Sequence, residues 1–515
     1  MEVLTKAKDL FVDNGGQINF LLEGDNLAVL TLLEKTHKGK IDVIYIDPPY
    51  NTGNKDFVYD DSFVGQDDLF RHSKWLSFMK KRLEIAKELL KEDGVIFISI
   101  DDNEQANLRS LCDSVFGDYN FLTQFIWEKT QHFGRQKLNS YSNSEYVLCY
   151  SKQLVKNKIK ELLVEYVNSD MEDAPLYNAS NNISVLHFPK GSVRFNIKDG
   201  FYSKTDDSKY ELLNIVQVHN GINDNDFSLK FKSRWSNNKV QVEIENGTTF
   251  WVKTEKFAVR AIYEEGKTTT VAPRQIIFTN PNNEFVAKTF NGTKVETNEK
   301  ATYELNNLFG EVKFSYPKPV SLIKYLISML YNESKKTHIK EGVILDFFAG
   351  SGTTGQAVME LNKEDGGSRK FILCTNNENN ICRDITHERL KTVITGIRKD
   401  GSKYSDGLIA SLKYQKVEFV KTQDKIYYEY ADELLKHIKE LVELENALNL
   451  DDPNIGILLT EEEVEKWLNS EVNETAKTIY LGHDVLLSMK QEEEINSRGI
   501  KVNIIPEYYY KELGR

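Results

Sequence analysis

An acidic residue, two prolines and a tyrosine, Asp47-Pro48-Pro49-Tyr50, stand at the end of an apolar run that closes with Ile46. The prolines fix φ at two successive positions and remove two N–H donors, so this turn is rigid and rich in carbonyl acceptors. Rigid acceptors beside an aromatic ring suit a planar group that carries N–H donors. We therefore predict that these four residues form a site that holds such a planar group. The alternative is a rigid strand-end turn in which Tyr50 serves only for packing.

A glycine-rich turn later in the chain is the second candidate. Gly350, Gly352 and Gly355 form a G-x-G-x-x-G pattern between an apolar run and a predicted helix. Such glycines let the backbone approach a ligand, and the start of a helix offers free N–H groups. Glu378 closes the next predicted strand, where an acidic side chain can hold a ribose. The pattern predicts a dinucleotide or nucleoside site, or else a tight turn only; no Gly-Lys-Ser/Thr follows, which excludes a phosphate-binding loop.

The spacing of apolar residues predicts the elements that carry both turns. In the first 150 residues, strands near 18–26, 42–50, 94–100 and 144–152 alternate with helices near 27–36, 71–91 and 102–116. The same rhythm resumes from residue 314, with strands near 342–350 and 370–378. Buried strands separated by helices favour a doubly wound, mostly parallel α/β sheet with helices on both faces. Both ends of the chain are therefore expected to contribute to one sheet.

The chain divides into four predicted regions. Residues 1–152 and 312–415 form the two parts of the α/β domain, and the acidic turn and the glycine turn fall in different parts. Residues 153–311 are rich in Asn, Thr and Lys with short alternating runs, which predicts an inserted, mostly β module. Residues 416–515 predict a helical, acidic region that either contacts a partner or folds back on the body. The apolar stripe of that region includes Leu434, Leu435, Ile438, Leu441 and Val442.

The net charge of −12 is distributed unevenly along the chain. Residues 426–515 contain 20 acids and 9 bases, so the other 425 residues carry 58 acids against 57 bases. Residues 129–160 alone hold seven bases and one acid. A nearly neutral body with local basic stretches can bind nucleic acid, so the overall negative charge does not exclude DNA as a partner.

Several classes of protein are disfavoured by simple features. No apolar run reaches the roughly 18 residues of a membrane span, and the N-terminus lacks the layout of a signal peptide. We therefore expect a cytoplasmic protein with no membrane segment. The four cysteines lack the spacing of metal ligands, so they are expected to be reduced and buried, and no metal site is predicted.

The two turns together resemble the motifs of the amino-methylating DNA methyltransferases that use S-adenosylmethionine. The segment Phe348-Ala349-Gly350-Ser351-Gly352 resembles the cofactor motif of that family, and the acidic turn resembles its D/N/S-P-P-Y/F/W catalytic motif. The catalytic motif precedes the cofactor motif, which resembles the β class. The stretches IDPPYNTGNKDFVYDD and DFFAGSGTTGQAV most resemble the modification subunits of Type III restriction–modification systems. EGDN (23–26) and YPKPVSLI (316–323) resemble further parts of the family's α/β domain.

This resemblance implies a fold, a reaction and a set of binding residues. The fold is the Rossmann-like methyltransferase fold with permuted motif order, and the inserted module is its target recognition domain. The reaction is methyl transfer from S-adenosyl-L-methionine to the N6 amine of adenine in double-stranded DNA, since Asp47 rather than Ser leads the motif. The implied cofactor-binding residues are Asp25, Asn26, Lys318, Asp346, Phe348, Gly350, Gly352, Thr353 and Glu378. Alternatively, Asp25 and Asn26 cap the helix that begins at Leu27, and Lys318 is an ordinary surface lysine.

Other functions stay open at this point. An N4-cytosine methyltransferase would use the same chemistry, because both bases carry an exocyclic amine. A DNA-binding module with an inactive methyltransferase core would be expected to show damage in one of the two turns. A nicotinamide-dependent oxidoreductase would leave the paired prolines unexplained. RNA or protein methylation would place a different planar amine or amide at the acidic turn.

The resemblance also implies partners. These are double-stranded DNA, a second copy of the chain in a homodimer, and a restriction subunit with helicase and nuclease activity. Basic side chains near aromatics, in a polar loop and in the inserted module, are the candidate DNA contacts. They are His132, Arg135, Lys137, Arg234, Lys253 and Arg274, with an ordinary solvated strand face as the alternative for any single one.

Overall fold

The computed structural model describes residues 2–53, 58–59, 62–65, 67–132, 141–154, 160–167, 174–262, 268–283, 285–289, 291–311, 314, 316–332, 337–419, 427–449, 451–470 and 475–513. The chain forms two compact units. The larger unit comprises Met1–Leu163 and Pro273–Arg515, and the smaller unit is Val164–Ala272.

The larger unit is built on one sheet, which has eleven strands among the described residues. Along the chain they are β1 (Glu2–Lys6), β2 (Val12–Asp13), β3 (Ile18–Glu23), β4 (Ile41–Ile46), β5 (Leu90–Ile100), β6 (Phe121–Glu128), β7 (Ser144–Ser151), β8 (Ile276–Ile277), β9 (Glu341–Asp346), β10 (Ser368–Thr375) and β11 (Ser411–Phe419). Across the sheet the order is β1–β11–β3–β10–β9–β4–β5–β7–β6–β8, and β2 also pairs with β11. The six strands from β11 to β5 in this order are parallel. The predicted doubly wound, mostly parallel sheet built from both ends of the chain is confirmed.

Helices cover both faces of this sheet. In chain order the helices are α1 (Asn26–His37), α2 (Arg71–Leu89), α3 (Gln105–Phe116), α4 (Asn237–Glu245), α5 (Asn298–Phe309), α6 (Val320–Ser328), α7 (Thr353–Asp365), α8 (Glu388–Thr395), α9 (Tyr427–Asn446), α10 (Glu461–Leu468) and α11 (Met489–Ser497). Residues of α1, α2, α3 and α9 share one core with Ile372 and Cys374 of β10. Helix α7 instead packs against Phe371 and Leu373 of β10, and its Gly355 lies directly against both side chains. Successive residues of a strand point to opposite faces, so these helices lie on opposite sides of the sheet.

Burial on both faces explains why the central strands read as continuous apolar runs. All six residues of β4 are buried, including the tyrosine, whose hydroxyl lies 2.8 Å from the Ser99 hydroxyl. Helix α2 follows a helical repeat, since Trp75, Met79, Leu83 and Ala86 are fully buried. The sequence analysis placed β3, β4, β5 and β7 and helices α1 to α3 close to their observed positions. It missed β1, β2, β6 and β11.

The smaller unit is mostly β, as the sequence predicts for the inserted module. Its sheets contain the strands Val164–Val167, Ala174–Pro175, Ile183–Phe188, Val193–Phe195, Gly200–Tyr202, Glu211–Leu212, Val216–His219, Ile222–Asn223, Phe227–Lys232, Thr249–Val252, Val259–Ile262 and Thr268–Val271. Its core is aromatic, with Phe231, Trp235 and Phe250 among its buried members. This unit covers a shorter stretch of sequence than the predicted module 153–311. The segment after it belongs to the larger unit, where β8 pairs with β6 and α5 packs against α8.

The C-terminal region differs from the helical prediction. Helices α10 and α11 alternate with three parallel strands, Ile455–Leu458, Thr478–Leu481 and Lys501–Ile504, around a small core of their own. Part of the stripe of α9 folds back on the body, because Ile438, Leu441 and Val442 are 1% exposed and join the main core, whereas the side chains of Leu434 and Leu435 lie outside the described residues. These three residues are therefore not available to a partner.

Three smaller observations complete the fold. The four cysteines are buried free thiols, as predicted. Within the described ranges, every helix is too short or too polar to cross a membrane. The remaining short strands are Val58–Tyr59, Ser62–Phe63, Lys160–Leu162, Leu330–Asn332 and Thr337–His338.

Candidate active site

The two turns singled out by the sequence lie beside each other at one edge of the main sheet. Strands β4 and β9 are parallel neighbours, with Ile44 opposite Leu345. The acidic turn follows β4, the glycine turn follows β9, and parallel strands end at the same edge. After β4 the chain continues into β5 on one side of the pair, and after β9 it continues into β10 on the other side. The two turns therefore flank a point where the strand order reverses. Such a crevice is where open α/β sheets bind ligands.

The acidic turn is fixed by side chains that come from other elements. The indole Nε1 of Trp75 in α2 donates to the carbonyl of Pro49 at 2.7 Å. Asn51, which follows the turn, is fully buried and has a left-handed φ of +56°. Its Nδ2 donates to Oε1 of the buried Glu104 at 2.5 Å, and His72 Nδ1 lies 2.7 Å from the same oxygen. An asparagine tolerates this backbone conformation, and these contacts hold it there.

Asp47 belongs to a chain of charged and polar groups. Lys318 Nζ lies 3.1 Å from Asp47 Oδ2 and 3.2 Å from Glu145 Oε2. The Tyr50 hydroxyl lies 2.8 Å from Asp47 Oδ1 and 3.2 Å from Glu145 Oε2. Lys129 Nζ lies 3.1 Å from Glu145 Oε1. Two carboxylates, two ammonium groups and one phenol thus meet at the end of β4.

The neighbours of each group decide its protonation state. Burial alone would lower the pKa of Lys318, but the Asp47 and Glu145 carboxylates outweigh it and raise that pKa well above its usual value. Burial would raise the pKa of Glu145, but Lys318 and then Lys129 outweigh it and lower that pKa. Burial, followed by the two carboxylates, raises the pKa of Tyr50 well above its usual value. At neutral pH, Lys318 is therefore a cation, Glu145 an anion and Tyr50 a neutral hydroxyl.

The glycine turn is shaped mainly by its own backbone. Gly350 and Gly352 have left-handed φ angles of +48° and +81°. A Cβ on Gly355 would lie 2.7 Å from Cδ2 of Leu390, so this glycine lets α7 approach α8 closely. The Asp346 carboxylate accepts from the N–H of Phe348 at 2.9 Å and from the Thr354 hydroxyl at 2.6 Å. Burial raises the pKa of Asp346 to about 7.

A buried arginine that the sequence analysis missed, Arg389, holds the glycine turn through hydrogen bonds to its side chains. Arg389 in α8 donates to the Thr353 hydroxyl at 2.8 Å, to the Ser351 hydroxyl at 3.0 Å and to Gln356 Oε1 at 2.8 Å. Burial lowers its pKa to about 10, so it remains a cation at neutral pH. The side chain of Thr353 therefore faces this arginine and shapes the turn. Only the helical position of Arg389 places it there, so no motif could have revealed it.

The loop after β3 lies beside these turns. The Asp25 carboxylate caps α1 by accepting from the N–H groups of Leu27 and Ala28, at 2.9 and 3.2 Å. Asn26 is the first residue of α1; its Nδ2 donates to the Phe347 carbonyl at 3.1 Å. The predicted capping role is thus confirmed for Asp25, and Asn26 ties this loop to the glycine turn.

A second missed arginine, Arg82 of α2, holds this loop. Its Nε donates to Asn26 Oδ1 at 2.5 Å, and its Nη2 lies 3.4 Å from Asp25 Oδ2. The guanidinium also stacks on Phe78, 3.6 Å from the ring centroid, and Phe78 contacts Phe348 with 6.0 Å between ring centroids. Arg82 is 6% exposed, and its helix carries only an ordinary apolar stripe, so the sequence offered no signal for this role.

The remaining predicted cofactor residues are placed as follows. Glu378 is exposed in the turn after β10, where Asn379 and Asn380 have left-handed φ angles of +51° and +60°. Since β10 lies between β3 and β9, this carboxylate stands at the same edge of the sheet. Lys318 is 8% exposed, so it is not a surface lysine, and its ammonium contacts the acidic turn.

The predicted DNA contacts are scattered. His132 and Arg274 are exposed on the larger unit, and Arg274 stacks on Phe285 at 3.9 Å. Arg234 is exposed on the smaller unit, where Lys253 lies 4.5 Å above the Trp251 ring. Arg274 thus belongs to the larger unit, contrary to its placement in the insert. Arg135 and Lys137 lie outside the described residues.

The chain is similar to known proteins over the segments that form this site. The model of a DNA methylase family matches residues 41–391, which include both turns. The Type III restriction-modification enzyme StyLTI Mod subunit of Salmonella typhimurium is 32% identical over 427 residues, covering 75% of this chain and 58% of that protein. The EcoPI Mod subunit of Escherichia phage P1 is 32% identical over 416 residues, covering 71% of this chain and 58% of that protein. The Type II methyltransferase M.KpnI of Klebsiella pneumoniae is 31% identical over 410 residues, covering 77% of this chain and 90% of that protein. The chain thus spans 58% of the length of these two Mod subunits.

Proposed function

This chain belongs to the DNA methylase family, and on that premise we propose that it is a site-specific DNA methyltransferase. It transfers a methyl group from S-adenosyl-L-methionine to the N6 amine of adenine in double-stranded DNA. One observation carries the proposal: the acidic turn and the glycine turn end two adjacent parallel strands. That adjacency brings a site for a nucleoside cofactor next to a site for a planar amine.

The residues at this edge suit S-adenosylmethionine. The exposed carboxylates after β3 and β10, Asp25 and Glu378, can accept hydrogen bonds from hydroxyl or ammonium groups. Gly350 and Gly352 carry no side chain at the point where backbone approaches a ligand, and Phe348 offers a half-buried ring. A donor set of carboxylates, backbone and one aromatic ring fits a nucleoside joined to an amino acid. When bound, S-adenosylmethionine supplies an electrophilic methyl group.

The acidic turn prepares the amine for attack. An adenine amine is conjugated with its ring and is therefore a weak nucleophile. Asp47 and the carbonyl of Pro48 each accept one of its N–H bonds, which draws the nitrogen lone pair out of conjugation. Because the turn is rigid, little reorganisation is needed, and orientation is the main catalytic contribution. A bound cofactor would supply the methyl group with its sulfur as the leaving atom, and Asp47 would take up the proton that the amine releases.

The base must leave the duplex to reach this turn. Flipping one base costs roughly a few kcal/mol, which protein contacts must offset. Tyr50 offers a ring to the face of the flipped base. The exposed basic residues His132, Arg234, Lys253 and Arg274 are proposed contacts to DNA. Removing one phosphate contact is expected to reduce the slope of log affinity against log salt by about 1.

The choice of adenine rests on Asp47 at the first motif position, and N4-cytosine is the competing product. A restriction–modification setting is supported by the names of the two relatives that are Mod subunits. In that setting a restriction subunit would be the second protein partner, and the chain would form a homodimer. Light scattering on the purified chain, alone and with a co-expressed restriction subunit, tests both assemblies.

The test of the reaction uses unmethylated plasmid DNA and methyl-labelled S-adenosylmethionine. The DNA is digested to nucleosides and the labelled one is identified by mass. We expect N6-methyladenine from the wild type and none from Asp47→Ala. Label in N4-methylcytosine would overturn the choice of base while keeping the mechanism. Bound cofactor with no label in DNA would refute DNA as the substrate of the chain alone.

A further inference from the structure

The hydroxyl proton of Tyr50 can be donated to either of two carboxylates, those of Asp47 and Glu145. The Tyr50 hydroxyl lies 2.8 Å from Asp47 Oδ1 and 3.2 Å from Glu145 Oε2. A neutral phenol has a single O–H, so it donates to only one of these oxygens at a time. The shorter distance indicates that it donates to Asp47 here. Rotation about the C–O bond is enough to redirect it to Glu145, with no movement of the ring.

This competition matters because Asp47 has to bind the target amine. A hydroxyl that donates to Asp47 Oδ1 takes one of the two lone pairs of that oxygen and withdraws electron density from it, so the oxygen becomes a weaker acceptor for a target N–H. The other oxygen of Asp47, Oδ2, is already paired with Lys318 at 3.1 Å. The hydrogen bond from the Tyr50 hydroxyl to the Asp47 carboxylate is charge-assisted, so the hydroxyl leaves it only if a second acceptor of similar strength is near. Glu145 is that acceptor.

Glu145 is held ready for this role. Its side chain is 8% exposed, and it is kept ionised between Lys129 at 3.1 Å and Lys318 at 3.2 Å. It reaches the site from β7, two strands away from β4 in the sheet. A buried carboxylate is costly without partners, so its position next to a second carboxylate needs a reason. The same oxygen of Glu145, Oε2, lies 3.2 Å from the Lys318 ammonium and 3.2 Å from the Tyr50 hydroxyl, so it can hold the lysine and accept from the phenol.

We propose that Glu145 is a positioning residue for methyl transfer, which takes over the Tyr50 hydroxyl when the target amine binds Asp47. The proposal rests on the proposed function, since it describes how the same site accepts its base. It assigns Tyr50 two tasks: its ring faces the base, and its hydroxyl switches between the two carboxylates. Without Glu145 the hydroxyl stays on Asp47 and competes with the substrate.

This proposal predicts suppression by a second substitution. Glu145→Gln is expected to lower kcat by about 30-fold, because an amide is a weaker acceptor than a carboxylate. Tyr50→Phe keeps the ring and is expected to lower kcat by about 3-fold. In the double variant the competing hydroxyl is gone, so kcat is expected to recover to within about 5-fold of wild type. A role of Glu145 in folding or in holding Lys318 would not be relieved by removing a hydroxyl.

The experiment measures the initial rate of methylation of unmethylated plasmid DNA at saturating S-adenosylmethionine for the four proteins. Calorimetric binding of S-adenosylmethionine reports on their folding. Glu84→Gln with Tyr119→Phe is the matched control, because both side chains are exposed and outside the site. If Glu145→Gln does not fold, Glu145→Asp replaces it; that variant keeps the charge but is too short to reach the hydroxyl.

The outcomes separate the two proposals. Recovery of activity in the double variant, by either Glu145 substitution, supports the switch. A double variant as slow as the single Glu145 variant, or slower, overturns it while leaving the DNA methyltransferase assignment intact. Absence of methyl transfer to DNA by the wild type overturns the proposed function and, with it, the switch.

Discussion

The two turns of the site are built in opposite ways. The glycine turn after β9 is shaped mainly by residues close to it in sequence, which are its own glycines, Asp346 and Thr354, and Arg389 of α8 adds a contact from farther along the chain. The acidic turn after β4 is held by residues from distant parts of the chain. These are Trp75, Glu104, Glu145 and Lys318.

This difference indicates what each turn has to do. A cofactor site needs backbone with little side-chain bulk, and local φ angles can provide that. A catalytic carboxylate needs a fixed direction, which several partners from separate elements over-determine. We therefore expect damage to the glycine turn to appear in binding, and damage around the acidic turn to appear in kcat.

The largest effect is expected from Asp47→Ala. Removing the acceptor leaves the amine conjugated with its ring, so turnover should fall by roughly 100- to 1,000-fold or more. Affinity for S-adenosylmethionine should stay near the wild-type value, because the glycine turn does not depend on this side chain. Methylation rates and calorimetric titration measure the two quantities. A large loss of cofactor affinity would show that the two turns are not independent.

Gly350→Val is expected to act on binding. A β-branched side chain both strains the backbone at φ +48° and enters the region of the cofactor, so affinity should fall by about 100-fold. Gly366→Val is the matched control, since Gly366 has φ +68° at the end of α7 and nothing within 4 Å of its Cβ. Both variants should lose about 1–2 kcal/mol of unfolding free energy. Equal loss of affinity in both would mean that strain, not position, is responsible.

Lys318→Met should lower kcat by roughly 30-fold, because it removes a charged partner of Asp47. It should also lower the unfolding free energy by about 3 kcal/mol at pH 7, since two carboxylates lose a buried counter-ion.

The stability deficit of Lys318→Met should depend on pH. In the wild type the pKa of Glu145 is lowered, so its ionised form stabilises the fold above its usual pKa of 4.5. Without Lys318, burial drives that pKa upward and the folded state favours the protonated acid. The deficit should therefore be largest at pH 7 and narrow as the pH falls towards 4.5. Chemical denaturation at several pH values measures it, and a deficit independent of pH would contradict the assignment of these charges.

Among the substitutions of Asp47, Gly350, Lys318 and Trp75, Trp75→Phe should have the smallest effect. It removes the donor to the Pro49 carbonyl and should lower kcat by about 5-fold, equivalent to about 1 kcal/mol. Trp127→Phe is the control, because Trp127 is also fully buried and its Nε1 has no hydrogen-bond partner within the described part of the chain. Both changes remove similar volume, so a similar loss of kcat in both would place the effect in packing rather than in the turn.

Much of the fold could be predicted because the sequence patterns that indicate its strands and helices are local. The buried strands β4 and β5 are continuous apolar runs, and α2 repeats its apolar residues at helical spacing. The parallel strands of the C-terminal region were missed because each is four residues long and directly precedes or follows an acidic helix. The boundary of the insert was missed because 273–311 resembles it in composition, although that segment packs on the main sheet.

The sequence by itself determined the two turns, because rigid prolines and left-handed glycines act through their own backbone. It also determined that both turns end buried strands, since burial on two faces requires continuous apolar residues. Only the tertiary structure decided that these strands are neighbours and that Lys318 and Glu145 meet at Asp47. Ion pairs of this kind depend on where separate elements pack, and neither the spacing nor the type of the residues encodes that position.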